Sequence, residues 1–96
     1  MTAFFVVTTT VKDQEAYQAY VQSVGATLTP FGGKAVLRGK ADSALVGQLT
    51  HQTVGIIEFP DIDAIGAWHA SAAYQALVPL RTRAADMTIT TYVVPA

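Results

Sequence analysis

The stretch "AFFVVTTTV" (residues 3–11) decides the fold, because it is β-branched or aromatic almost throughout and is therefore typical of a strand. In a strand, Phe4 and Val6 lie on one face, and Phe5, Val7 and Val11 lie on the other. A strand that is apolar on both faces lies in the middle of a sheet with both sides covered. The segment "TVGIIEFP" (53–60) has the same character, apart from Glu58. These two segments are predicted to be the central strands.

A helix is predicted between Asp13, which is a suitable N-cap, and Pro30, where Gly32 and Gly33 follow and end it. Its apolar side chains fall at spacings of four, three and four, which is a helical period. They are Tyr17, Val21, Val24 and Leu28, with Tyr20 beside them. The tyrosine hydroxyls could line the rim of a pocket, although packing of the helix on a sheet is the simpler use of these rings.

Two further strands are predicted at "KAVLRG" (34–39) and "MTITTYVV" (87–94). Residues 40–52 are compatible with either a strand extension through "ALVG" or a long hairpin loop. A second helix is predicted from the N-cap Asp61 to about Ala70. Beyond it, Ser71 is a candidate cap for a continuation, and Pro79 predicts a kink or a break into two short helices.

The resulting order, β-α-β-β-α-β, predicts a ferredoxin-like α+β fold in a single domain over residues 1–96. Such a fold has a four-stranded antiparallel sheet with both helices on one face. The other face then needs a cover, and a homodimer provides one because a symmetric patch is self-complementary. The composition agrees, since 51% hydrophobic and 14% charged residues leave little polar surface for a chain of 96 residues.

Several classes of function are disfavoured. The net charge of −1 without a basic cluster gives no footprint for nucleic acid. The chain has no apolar run of 18 or more residues, so no membrane helix is predicted. Its first residues lack an export signal, and we therefore expect a cytoplasmic protein. The absence of cysteine excludes disulfides and thiolate metal sites. Gly32-Gly33 is predicted to be a turn and not a phosphate loop, and no cofactor is expected.

His69 is the first candidate for catalysis, because imidazole titrates near neutral pH. Helical periodicity places it near Ile62 and Ile65 on the apolar stripe, with Trp68 at the edge of that stripe. A core-facing histidine held by one hydrogen bond is the alternative. Metal binding is disfavoured because His51 is the only other histidine and lies in the uncertain segment.

Glu58 is the second candidate for catalysis, because it interrupts an apolar central strand. A carboxylate in that position must be paired or must titrate upward. It is predicted to form an ion pair with Arg38 or Lys34 across the hairpin, or alternatively to act as a pocket acid.

Substrate binding is predicted for arginine and tyrosine side chains. Arg38 and Arg81 each offer a guanidinium that matches a carboxylate. Tyr74 and Arg81 share a helical face and could reach one ligand, with Tyr20 contributing from the first helix. Alternatively, Arg81 pairs with Asp86, with Glu58 or with a partner chain.

Four blocks carry a family resemblance over nearly the whole chain. They are "FGGKAVLRG" (31–39), "IIEFPD" (56–61), "AWHASAAYQAL" (67–77) and "LRTRAAD" (80–86). In order and spacing they resemble the family called domain of unknown function 1330, of the dimeric α+β barrel superfamily. The resemblance implies two ferredoxin-like sheets packed face to face, with a small-molecule pocket between sheet and helices. The family commonly has a tyrosine where this chain has His69, and a proline and a glutamate where it has Ala72 and Ala73.

Two functions are compatible with this sequence. One is a small cofactor-independent enzyme that acts on an organic acid or an enol-like metabolite. Proton transfer would then fall to His69 or Glu58, and Arg38 or Arg81 would bind the negative charge. The other is a non-catalytic dimer that binds a ligand or has a structural role.

Overall fold

The computed structural model describes residues 1–95 and has the predicted order of elements. The elements are β1 (Ala3–Val11), α1 (Gln14–Leu28), β2 (Lys34–Lys40), β3 (Thr53–Phe59), α2 (Ile62–Ala70), α3 (Ala72–Gln75), α4 (Val78–Ala84) and β4 (Ala85–Val93). The strands form one antiparallel sheet in the order β2-β3-β1-β4. The ferredoxin-like fold and the central places of β1 and β3 are therefore confirmed. No helix within residues 1–95 has the length and apolar character needed to cross a bilayer.

The two faces of the sheet have different environments. On one face, which we call the covered face, Phe5 and Phe59 are buried and pack against Trp68 of α2. The other face, which we call the open face, carries Phe4 stacked on Tyr92, with ring centroids 5.1 Å apart. The two-faced strands predicted from the sequence are thus covered by helices on one side only.

The boundaries of the first helix follow its polar and glycine residues. The Asp13 carboxylate accepts a hydrogen bond from the backbone N–H of Ala16, which satisfies one of the free donors of the first turn of α1. A short 3-10 helix (Thr29–Phe31) continues α1 and ends at Gly32, whose φ of 76° lies in the left-handed region that glycine adopts at no steric cost. The chain then turns into β2.

The second helical region is divided into three pieces. α2 ends before Ser71, whose hydroxyl accepts a hydrogen bond from the backbone N–H of Tyr74 and so caps α3. Pro79 lies in the first turn of α4, where its missing N–H removes no helical bond. The predicted cap and the predicted break into short helices are both confirmed.

Residues 41–52 form a long hairpin loop, so the strand extension is not observed. A hydrogen bond from Ala41 N to Gln52 O closes the base of the loop at 2.7 Å. At its tip, the side chains of Leu45 and Val46 are almost fully exposed.

A β-bulge in β2 decides which side chains face the helices. Lys34 lies opposite Glu58 on the open face, but the register shifts between Ala35 and Leu37. Beyond the shift, Arg38 lies opposite Gly55 on the covered face. An unbroken register would place Arg38 on the open face, because a slip of one residue exchanges the two faces of a strand.

Candidate functional site

A cavity of about 320 Å³ lies between α1 and the covered face of the sheet, and we call it the inner cavity. Its wall is mostly apolar and is formed by Phe5, Val7, Val21, Val24, Leu28, Ile57, Trp68, Met87 and Ile89. The polar side chains at its boundary are Thr9, Tyr17, Tyr20, Arg38, Lys40 and Thr53. An apolar pocket with a few polar groups is the usual form of a small-molecule site.

Gly55 provides part of the space in this cavity. It lies within the central strand β3, opposite Val7, where other strand residues present side chains to the core. A Cβ atom at this position would lie 3.2 Å from Val7 Cγ1 and would occupy the region between sheet and helix. Glycine inside a strand marks a close approach of another group. Gly55 is not among the site residues predicted above, although an isolated glycine in an apolar strand is a signal for such a close approach.

Two exposed cationic side chains, Arg38 and Lys40, border the inner cavity on the covered face. The bulge brings Arg38 to the covered face, and Lys40 follows two residues later on the same face. Within residues 1–95 the only carboxylate within 4.0 Å of a lysine or arginine is Asp86, which pairs with Lys12 at 3.6 Å. Arg38 and Lys40 therefore have no carboxylate partner in the described part of the chain, and an anion at this opening would meet two positive charges.

A buried chain of hydrogen bonds joins α1 to α4. The hydroxyl oxygens of Tyr20 and Tyr74 lie 2.9 Å apart, and Arg81 Nη1 donates to the Tyr74 hydroxyl at 2.8 Å. Tyr74 is fully buried and Tyr20 nearly so. The prediction that Tyr74 and Arg81 lie on the same side is confirmed. Since Lys12 pairs with Asp86, the alternative in which Arg81 pairs with Asp86 is wrong.

Trp68 connects this chain of hydrogen bonds to the hydrophobic core. Its ring is 1% exposed and packs on Tyr74 with centroids 4.2 Å apart. Its indole N–H donates to the Thr27 hydroxyl at 3.0 Å, so the polar end of the ring is satisfied. Trp68 also borders the inner cavity.

His69 is exposed, and its predicted place on the apolar stripe is wrong. Ile65 and Trp68 direct α2 into the core, and His69 lies about 100° further round the helix from Trp68. It borders a second depression of about 760 Å³ between β4 and helices α2 and α4, which we call the edge groove. Arg81 borders the same groove, and the rings of His69 and Tyr74 are 5.6 Å apart. His69, Tyr74 and Arg81 are therefore close together, outside the inner cavity.

Glu58 is separated from the other candidates because it lies exposed on the open face. Arg38 lies on the opposite face of the sheet, so it does not pair with Glu58. Lys34 is the cross-strand neighbour of Glu58, but no contact within 4.0 Å joins their charged groups. The ion pair predicted for Glu58 is thus not formed with either residue.

Two threonine side chains contact the ring of His51. Its two ring nitrogens contact the hydroxyls of Thr10, at 2.9 Å, and Thr88, at 3.3 Å. Within residues 1–95, no three histidine, aspartate or glutamate side chains are grouped as metal ligands would be.

The titration of Tyr20 gives the site a measurable property. Burial raises the pKa of Tyr20 well above its usual value of about 10, because the charged phenolate would lose its contact with water. In the unfolded chain Tyr20 loses its proton near pH 10, whereas in the folded chain it still holds its proton at that pH. Unfolding above about pH 10 therefore releases a proton, and this residue lowers the free energy of unfolding as the pH rises.

We expect Tyr20→Phe to remove this contribution, whose slope rises through the unfolded pKa of about 10 toward about 1.4 kcal/mol per pH unit. Denaturant titrations between about pH 9 and pH 11 measure the slope for both proteins. Tyr92→Phe is the control for removal of a tyrosine hydroxyl, because Tyr92 lies on the opposite face of the sheet from Tyr20 and outside the buried chain of hydrogen bonds. Equal slopes for wild type and Tyr20→Phe would show that the Tyr20 hydroxyl is not buried.

Comparison with known proteins agrees with the fold. The family model described as "Domain of unknown function (DUF1330)" matches residues 2–94. No curated protein matches the sequence significantly. The structure is similar to RPA0582 of Rhodopseudomonas palustris, a protein of unknown function, with 22% identity and a TM-score of 0.82 over 98% of this chain and 84% of that one.

Two more distant structures have the same fold. SnoaB from Streptomyces nogalater, a cofactor-independent oxygenase, is 14% identical with a TM-score of 0.71 over 99% of this chain and 94% of that one. A dimeric ferredoxin-like protein of unknown function from Thermobifida fusca is 10% identical with a TM-score of 0.67 over 98% and 92%. These likenesses concern the fold, whereas the family match spans nearly all of the sequence. The chain, whose own fold is ferredoxin-like, therefore belongs to the DUF1330 family.

Proposed function

We propose that this protein binds a small, mostly apolar organic acid in the inner cavity. The observation that carries the proposal is the combination of an apolar cavity of about 320 Å³ with two cations, Arg38 and Lys40, at its open side. Neither cation has a carboxylate partner within residues 1–95. The apolar wall selects the body of the ligand, and the guanidinium selects its acid group.

The arrangement avoids the main energetic penalty for binding an acid. Each Å² of apolar surface that the ligand buries contributes about 25 cal/mol. A carboxylate buried without a partner would cancel this gain, because desolvation of a charge is expensive. Arg38 and Lys40 are both exposed, so the carboxylate would stay near water while its apolar body enters the cavity.

The proposal is tested by calorimetric titration with 4-phenylbutanoate, which has an apolar body and one carboxylate. We expect Arg38→Gln to weaken binding about tenfold or more, as loss of a charge-assisted hydrogen bond does. Lys34→Gln is the matched control, since Lys34 lies on the same strand but on the open face. His69→Ala should also leave the affinity unchanged, because His69 borders only the edge groove.

Filling the cavity provides the second half of this test. Gly55→Val places a side chain where the ligand body would lie, and Val24→Phe fills the same space from the helix. Both variants should lose binding while remaining folded by circular dichroism. Gly25→Val is the control, since nothing lies within 4 Å of a Cβ atom at Gly25. Binding that survives both fillings, or that is lost in His69→Ala, would remove the inner cavity as the site.

We propose further that the open faces of two copies pack together in a homodimer. Phe4, Val6 and Ile56 are apolar side chains of the central strands on that face, and no element of residues 1–95 covers them. An apolar face of this kind on a small protein is typical of an interface. The name of the Thermobifida fusca protein, which describes it as dimeric, supports the same assembly.

Catalysis is a separate proposal, which the edge groove supports. There His69 could exchange a proton with a ligand whose negative charge binds Arg81, as in the enzyme predicted from the sequence. The likeness in fold to a cofactor-independent oxygenase is consistent with chemistry that needs no cofactor. Glu58 would act only at the open face. Binding in the inner cavity requires neither His69 nor Glu58, since neither residue borders it.

A further inference from the structure

The direction of the hydrogen bonds in the buried chain is fixed by Arg81. A guanidinium is a donor only, so the Tyr74 oxygen accepts the bond from Arg81 Nη1. The Tyr74 hydroxyl hydrogen still needs an acceptor, because Tyr74 is 0% exposed and cannot reach bulk water. The only other polar contact of that hydroxyl within residues 1–95 is Tyr20, at 2.9 Å. Tyr74 therefore donates to Tyr20.

This direction leaves the Tyr20 hydrogen at the end of the chain. The Tyr20 oxygen accepts from Tyr74, and its own O–H has no acceptor among residues 1–95. Of the two tyrosines only Tyr20 borders the inner cavity. A tyrosine hydroxyl is protonated at neutral pH, and burial raises the pKa of Tyr20 further. Tyr20 thus combines a hydroxyl hydrogen that has no acceptor in the described chain with a side chain that borders the inner cavity.

We propose that the Tyr20 hydroxyl donates a hydrogen bond to a ketone or enolate oxygen of the ligand, which makes the ligand an apolar keto acid. This inference rests on the function proposed for the inner cavity. The keto oxygen would meet Tyr20, and the carboxylate would meet Arg38, which borders the same cavity. Recognition by a buried donor is selective, because a ligand that lacks the oxygen leaves that donor unpaired.

Arg81 makes this donor stronger without touching the ligand. Its positive charge polarises the Tyr74 hydroxyl, which in turn polarises that of Tyr20, since chains of hydrogen bonds reinforce one another in a low-dielectric interior. Arg81 is therefore a positioning residue for the inner cavity, although it lies at the edge groove. An enolate oxygen, which carries more charge than a ketone, would gain more from this arrangement.

The test compares two ligands that differ at one carbon. 4-Oxo-4-phenylbutanoate has a ketone next to the ring, and 4-phenylbutanoate has a methylene group there. We expect wild type to bind the keto acid about three- to tenfold more tightly, as one added hydrogen bond allows. Tyr20→Phe should abolish this difference, and Tyr92→Phe, on the open face, should preserve it.

The infrared stretch of the bound ketone separates a hydrogen bond from a general loss of structure. It should lie at lower wavenumber in wild type than in Tyr20→Phe, with Tyr74→Phe in between because Tyr20 then lacks its polarising neighbour. Equal binding of both ligands by wild type would overturn the inference and leave the proposed function standing. Absence of binding for both would overturn the proposed function and the inference with it. Loss of the difference in Tyr17→Phe instead would assign the donor to Tyr17 and overturn the role of Tyr20.

Discussion

Trp68→Ala is expected to lower the free energy of unfolding by about 3–5 kcal/mol, the usual cost of deleting a large buried aromatic side chain. The ring is 1% exposed and packs on Phe5, with centroids 5.1 Å apart, and on Tyr74. Its removal leaves a void between α2, α3 and β1. It also leaves the Thr27 hydroxyl without the hydrogen bond that the indole N–H donates. Since domains of this size are stable by about 5–15 kcal/mol, the loss is a large fraction of the total, and the variant should unfold at a clearly lower denaturant concentration.

Denaturant unfolding followed by far-ultraviolet circular dichroism measures this loss. Trp68→Phe should lose less, because it retains an aromatic ring and lacks only the hydrogen bond with Thr27 and part of the volume. Leu45→Ala is the control, since that side chain is 96% exposed at the tip of the hairpin loop. A loss below about 1 kcal/mol for Trp68→Ala would contradict the placement of α2 on the sheet.

The position of Trp68 shows how far periodicity could predict the second helix. The helix, its caps and the break at Pro79 followed from local residue types, whose effects do not depend on distant contacts. The buried face depended on the angle at which the helix packs, and a difference of one residue rotates that face by about 100°. Periodicity therefore predicts His69 on the buried stripe and Trp68 at its edge, whereas in the structure Trp68 is buried and His69 is exposed.

A pocket between sheet and helices was predicted, but the way in which Arg38 reaches the inner cavity could not be, because it depends on an irregular register between β2 and β3. The bulge between Ala35 and Leu37 transfers Arg38 from the open face to the covered face. Strand propensity and alternation contain no signal for this shift, and a loop as long as residues 41–52 does not fix the register of the two strands that it joins. By contrast, the proximity of Tyr74 and Arg81 was predictable, since a spacing of seven residues nearly preserves a helical face.

A charge on the open face is expected to separate the proposed dimer into monomers. Ile56 lies near the centre of that face, between Val6 of β1 and Leu37 of β2. Ile56→Asp would bury a carboxylate in each copy, and packing related by symmetry brings such charges together, at a cost of several kcal/mol. Light scattering coupled to size-exclusion chromatography at micromolar concentration should show a wild-type dimer and a monomeric, folded variant.

Two further variants make the outcome specific to the open face. Val54→Asp changes a residue of the same face that is 37% exposed, so folding should tolerate the charge while dimerisation should not. Ile62→Asp is its match at 39% exposure, but it lies on α2 at the edge groove and should leave the dimer intact. A monomeric wild type would refute the dimer. A dimer that persists in Val54→Asp and dissociates in Ile62→Asp would move the interface to the helices, and the apolar open face would then need another cover.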